Sequence, residues 1–143
     1  MKSIIIFNSM TGNTESLAYK MKEVLESSGH QCDIYRDDRI YLKVRNDLEF
    51  FKSYDLLCFG SCTHALSPAI SFQTFLRRVK RHKLKEKKLL CFATSANSNN
   101  WEITCQKIQK MFPQLEHIGN FGCTQRNYEQ ILNEFKKIII KLK

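Results

Sequence analysis

Two prolines and five glycines in 143 residues leave little room for a long linker or a disordered arm, and one domain spanning residues 1–143 is the expectation. None of the six cysteines, at positions 32, 58, 62, 91, 105 and 123, is paired as C-x-x-C. Most lie inside apolar runs, which argues against a disulfide framework and for buried free thiols in a reducing, cytoplasmic setting. No apolar run approaches the ~20 residues of a membrane span. The four apolar residues 4–7 that precede Asn8 are too few for a signal-peptide core, so membrane insertion is not expected. Acidic residues are scarce, 14 against 23 Lys and Arg, for a net charge of +9.

That charge is unevenly spread. Residues 77–88 hold eight Lys/Arg against the single Glu86, and Lys136, Lys137, Lys141 and Lys143 cluster at the other end of the chain. Such a surface is either a solvated face or an attractor of acidic proteins, nucleic acid or anionic lipid. No aromatics interleave the basic stretch, so nucleic acid is not the expected partner.

The apolar pattern alternates between two periods. Residues 4–7 (IIIF) form an Ile-rich run of the kind a strand buried on both faces requires. Helical spacing follows at Leu17, Ala18, Met21, Val24 and Leu25, with Gly29 as the stop. Residues 31–35 read as a second strand; residues 36–52 are polar and mixed, with a short helix from Asn46. A third strand spans 54–60 and ends at Gly60. Pro68 suits the first turn of a helix whose buried face is Ile70, Phe72, Phe75, Leu76 and Val79. Residues 89–94 give a fourth strand, Trp101 opens a helix with Ile103, Ile108 and Met111 in the core, and 115–121 give a fifth, weaker strand. A closing helix spans about 127–142. This alternation predicts an α/β fold, a five-stranded parallel sheet in the doubly wound order 2-1-3-4-5 with helices on both faces. Strand order reverses between the first and third strands, so a ligand is expected beyond their carboxyl ends.

The stretch at the end of the first strand is Phe7-Asn8-Ser9-Met10-Thr11-Gly12-Asn13-Thr14, rich in hydroxyls and hinged on one glycine. Small side chains let backbone N–H groups converge, and the following helix adds its positive end, which suits a phosphate. No Lys-Ser/Thr follows the glycine, which excludes a Walker loop, and one glycine cannot make a G-x-G-x-x-G turn. A phospho-accepting receiver needs clustered aspartates where Asn8 and Gly60 stand.

Ser9-Met10-Thr11-Gly12-Asn13-Thr14 resembles the S/T-x-T-G-N-T phosphate loop of the flavodoxins, and the order of elements extends the likeness over essentially the whole chain. The resemblance implies a flavodoxin-like three-layer sandwich that binds FMN without covalent attachment. It implies an electron carrier, working in one- and two-electron steps between a reductase and an acceptor protein. Carried over by position, it gives Ser9, Met10, Thr11, Gly12, Asn13 and Thr14 to the FMN phosphate. Gly60-Ser61-Cys62-Thr63-His64 stands where the family has G-S-P-T-Y, which gives Ser61, Cys62, Thr63 and His64 to the second flavin loop. His64 either stacks on the ring or is a solvated histidine. In the third loop Thr94, Ser95, Asn97 and Asn99 face the pyrimidine edge, and Trp101 is either a stacking ring or a core anchor. No metal and no catalytic side chain is expected.

Two departures from the family matter. Flavodoxins are acidic, so at +9 this chain is expected to meet redox partner proteins with acidic docking surfaces, or to differ in role. No glycine occurs between Gly60 and Gly119, so a backbone turn of positive φ in residues 62–66 is expected to be disfavoured. Two other functions fit the residues: a small FMN-dependent oxidoreductase acting on a quinone- or tetrapyrrole-type substrate, and a basic binding module with a vestigial flavin site. Oligomeric state is left open.

Overall fold

Alternation along the strands sorts the apolar residues onto two faces of one sheet. In the computed structural model, which describes residues 1–96, 99–124 and 128–142, the first strand, β1 (Lys2–Asn8), sends Ile4 and Ile6 to one face and Ile5 and Phe7 to the other. All four are 0–1% exposed, as a central strand covered on both sides demands. The chain continues through α1 (Asn13–Ser27), β2 (Gln31–Arg36), α2 (Asp37–Asn46), β3 (Leu56–His64), β4 (Ser67–Pro68), α3 (Ile70–Val79), β5 (Lys88–Ser95), α4 (Trp101–Lys110), β6 (Glu116–Thr124) and α5 (Glu129–Lys141).

The sheet order is β2-β1-β3-β5-β6, all parallel, with the two-residue β4 antiparallel to the end of β3. Setting β4 aside, the five parallel strands have the expected order. One face is covered by α2, α3 and α4 through Ile40, Val44, Phe72, Phe75, Cys105 and Ile108. The other is covered by α1 and α5 through Leu17, Met21, Leu25, Phe135 and Ile139. Gly29, at φ +89, ends α1: its N–H donates to the Glu26 carbonyl and that of His30 to the Leu25 carbonyl, closing the C-terminus as a Schellman turn does. All six cysteines are free, and all but Cys62 are buried.

Several sequence expectations shift. Helix α2 lies before Asn46 rather than after it. Strand β3 runs on through Ser61 to His64 instead of stopping at Gly60. Pro68 is not in a helix; it pairs with Thr63, and α3 starts at Ile70, whose side chain is 81% exposed rather than part of the buried face. Ile103 likewise sits at the surface while Thr104 and Cys105 of α4 are buried.

Every helix runs back from the carboxyl edge of the sheet to its amino edge. Acidic residues occupy the first turns of α1, α2, α4 and α5 (Glu15, Asp37, Asp38, Glu102, Glu129). Basic residues occupy the last turns of α2, α3, α4 and α5, among them Lys43, Arg45, Arg77, Arg78 and Lys141. This matches the helix dipoles. The loop from α3 to β5 adds exposed Lys80, Arg81, Lys83 and Lys85 to the amino edge. The basic stretch 77–88 therefore lies at the end of the molecule away from the loop after β1.

Candidate functional site

Three chain segments meet at the carboxyl edge beside the point where strand order reverses: the loop 9–12 after β1, the end of β3, and the end of β5. Register lines them up, with Asn8 opposite Ser61 and Cys62 opposite Thr94.

The first loop turns on Gly12, at φ +92 and ψ −8, a left-handed conformation in which a side chain would be strained. Its N–H donates to Ser9 Oγ at 3.1 Å, closing the loop on itself, and the Ser16 N–H donates to the Gly12 carbonyl at 2.9 Å as α1 begins. Among the described residues no side chain caps α1. The first-turn amides of a helix have no intrahelical acceptor, so a 15-residue helix presents its positive end to this loop. Ser9 is buried, whereas Met10 is 69% exposed and Thr11 is exposed. These residues fit a phosphate: a hydroxyl, small side chains, convergent amides and a helix terminus.

The hydroxyl of Thr14 points into the fold. Its Oγ1 shares a 2.7 Å hydrogen bond with Oγ1 of Thr94, which ties α1 to the end of β5. From the residue that precedes α5, the Tyr128 hydroxyl donates to the Asn13 carbonyl at 3.2 Å. Contact of Thr14 with an anion would come through its backbone N–H.

The second segment is a hairpin. Ser61 is fully buried; its Oγ donates to the Cys62 carbonyl at 2.8 Å and accepts from the Ala69 N–H at 3.1 Å, which fixes where the chain leaves for α3. Thr63 Oγ1 shares a 2.9 Å bond with Thr104 of α4. Between the pairs Thr63↔Pro68 and His64↔Ser67 stand Ala65 at φ +47 and Leu66 at φ +61. Two successive residues of positive φ are what a two-residue hairpin turn of the right twist needs. The glycine-free stretch thus adopts positive φ at two residues in spite of its cost to them, with strand pairing beside the turn holding it. His64 is exposed at its mouth. Burial pushes the Cys62 thiol up, so it stays protonated near neutral pH and is no ready nucleophile.

In the third segment Thr94 and Ser95 are buried and Asn99 is exposed; Asn97 lies outside the described residues. The Trp101 indole packs on Gly122 of β6, where an added Cβ would stand 2.3 Å from the ring. Trp101 and Asn99 line a cleft of about 460 Å³ between α4 and α5. The indole thus has a place in the packing between α4 and β6.

A fourth group, absent from the sequence reading, backs the first loop. Asn8 Nδ2 donates to Asp37 Oδ2 at 2.9 Å and to Ser71 Oγ at 3.1 Å, and Cys62 Sγ contacts Asn8 Oδ1 at 3.6 Å. Arg36 Nη2 donates to the Ser9 carbonyl at 3.0 Å. Burial raises the Asp37 carboxyl, against the Asn8 amide and Asp38 N–H that pull it down. Asn8, Arg36, Asp37 and Tyr41 line a second cleft, of about 490 Å³, between α2 and α3. Asn8, Arg36, Cys62 and Ser71 lie far apart in sequence, and the pairing of both β2 and β3 with β1 joins them. Among the described residues no group of three or more His, Cys, Asp or Glu could hold a metal ion, and no helix is long and apolar enough to cross a membrane.

A family model described as a flavodoxin domain matches residues 4–142. No curated protein matches the chain. Among solved structures, a flavodoxin from the domain Archaea is similar at 16% identity and a TM-score of 0.79, over 99% of this chain and 96% of that one. Oxidised flavodoxin 1 from Bacillus cereus is similar at 18% identity and a TM-score of 0.79, over the whole of both chains. The rubredoxin oxygen:oxidoreductase of Desulfovibrio gigas is similar at 14% identity and a TM-score of 0.82, with 96% of this chain covering 34% of that one.

Proposed function

The chain belongs to the flavodoxin-domain family, and from that premise we propose that it binds FMN and carries electrons between a reductase and an acceptor protein. The observation that carries the reading is the loop 9–12: its glycine at φ +92 delivers the chain into an α1 without a side-chain cap among the described residues, beside the strand-order reversal. Loop amides and the Ser9 hydroxyl hold the phosphate, with the dianion favoured by the helix terminus rather than by a contacting basic side chain. When bound, FMN supplies reversible one- and two-electron chemistry, and the protein supplies binding, orientation and electrostatics.

The hairpin at residues 63–68 and the chain at Thr94, Ser95 and Asn99 flank the ring in this reading. Packing of the indole on Gly122 supports Trp101 as an anchor, which leaves His64 as the exposed aromatic group at the hairpin. No side-chain nucleophile or acid–base pair takes part. Partners are redox proteins that approach the carboxyl edge. Free thiols suit a reducing compartment, the cytoplasm.

Titration of the purified protein with FMN tests the reading. Bound-flavin absorption bands and quenched flavin fluorescence are expected. Absence of both changes at excess FMN refutes it.

A further inference from the structure

Arg36 is the last residue of β2 and pairs with Phe7 of β1, so its side chain leaves the sheet beside the phosphate loop. The guanidinium lies 5.8 Å from the Phe7 ring, donates one hydrogen bond and faces two carboxylates. Nη2 donates to the Ser9 carbonyl at 3.0 Å, Nη1 stands 3.7 Å from Glu15 Oε1, and Nε stands 3.5 Å from Asp38 Oδ1. The Ser9 residue is thereby held from two sides, by Arg36 at its carbonyl and by the Gly12 N–H at its hydroxyl. Glu15 is the acidic residue in the first turn of α1, where an incoming dianion competes for the same positive helix end.

We propose that Arg36 is the positioning residue that makes this loop select a phosphate-bearing flavin over the phosphate-free one. The inference rests on the FMN reading and adds a residue to it. Arg36 acts through its neighbours in two ways. It locks the Ser9 peptide, and with it the shape of the loop that must converge on the anion. It also neutralises Glu15, which otherwise repels the dianion across less than one helical turn. A lysine ammonium is a compact charge that cannot serve a carbonyl and two carboxylates in one planar fork, so arginine is required for both tasks together.

The experiment measures affinity for FMN and for riboflavin, by fluorescence quenching, in the wild type, R36Q, R36K and R36Q/E15Q. R36Q is expected to weaken FMN on the order of tenfold, as for loss of a charge-assisted hydrogen bond, while riboflavin stays within about twofold. R36K falls between, and R36Q/E15Q recovers part of the FMN affinity because the repelling carboxylate is gone. A purely structural role moves both ligands alike. Equal losses for the two flavins, or FMN affinity in R36Q equal to that of the wild type, overturn the inference while the FMN reading stands. Wild-type protein that binds neither flavin overturns the FMN reading and this inference with it. Should R36Q fail to fold, R36K carries the test on the same two ligands: an FMN-selective loss supports the inference and an unselective one overturns it.

Discussion

Replacing Ala65 by glycine should make the protein more stable. Ala65 sits at φ +47 in the turn between β3 and β4, held there by the pairs on either side. A left-handed conformation costs a non-glycine residue about 1–2 kcal/mol. Glycine removes that strain but adds about 0.5–1 kcal/mol of unfolded-state entropy, for a net gain of about 0.5–1 kcal/mol. Ala65 is exposed, so the lost methyl carries little packing. Leu66 is the poorer choice, since at 45% exposed it has more to lose. For a chain of 143 residues the gain raises Tm by roughly 2–3 °C. Ala65→Val places a β-branched side chain at the same φ and should lower Tm by a comparable or larger amount. Both are read by thermal unfolding of the flavin-free protein, which removes any contribution from ligand binding. An A65G variant no more stable than the wild type, or an A65V variant equal to it, refutes the strain argument.

Thr14→Val or Thr94→Val alone leaves a buried hydroxyl without its 2.7 Å partner, and each should lose about 1–3 kcal/mol in denaturant unfolding. The double variant should lose less than the two singles together. Gly60→Ala places a Cβ 2.1 Å from the Phe92 ring of the neighbouring strand and should cost about 1–3 kcal/mol or more. Adding Phe92→Leu should restore part of it, measured in the same way. Asp37 gives a pH signature. Its folded carboxyl is raised, so on going up in pH the unfolded chain gives up its proton first. Stability therefore declines as pH rises from the ordinary carboxylate value of 3.8 through the raised one, and levels off above it. Asp37→Asn should flatten that part of a plot of Tm against pH.

What could be read from sequence was whatever the local pattern determines. The buried strands show as runs such as 4–7, α1 shows as a helical stripe ended by Gly29, and the loop shows by its hydroxyls and one glycine before a helix. The parallel strand order follows from their alternation. The hairpin was hidden because its turn, Ala65-Leu66, has none of the Asn or Gly that normally marks positive φ, and because polar Ser61 to His64 look like loop. Pro68 looked like a helix start since the same fixed φ serves there and on a strand paired along one side. Helix α2 was hidden because only Asp37, Ile40 and Val44 are buried, too short a stripe to stand out from its charged residues. The contact of Arg36 with Ser9 spans 27 residues and exists only because β2 lies beside β1.

The acidic first turns at one edge and the basic last turns at the other carry full charges against the roughly half-charges of the opposing helix ends, so the molecule is a permanent electric dipole as well as a cation. In the field of a partner it experiences a torque as well as a pull. An acidic partner attracted by the net charge of +9 is met first by the amino end, roughly 23 Å from the carboxyl edge by the eight-residue length of β5. With the flavin at the carboxyl edge, as proposed above, that encounter would be non-productive until the molecule tumbles. A basic patch on a partner instead draws the carboxyl edge forward while the net charge holds the rest away. Screening at physiological salt acts over about 8 Å, shorter than the separation of the two ends. Added salt should therefore speed electron exchange with an acidic partner by releasing backward encounters. Slowing on salt addition would show that the partner reads the nearby charges instead of the dipole.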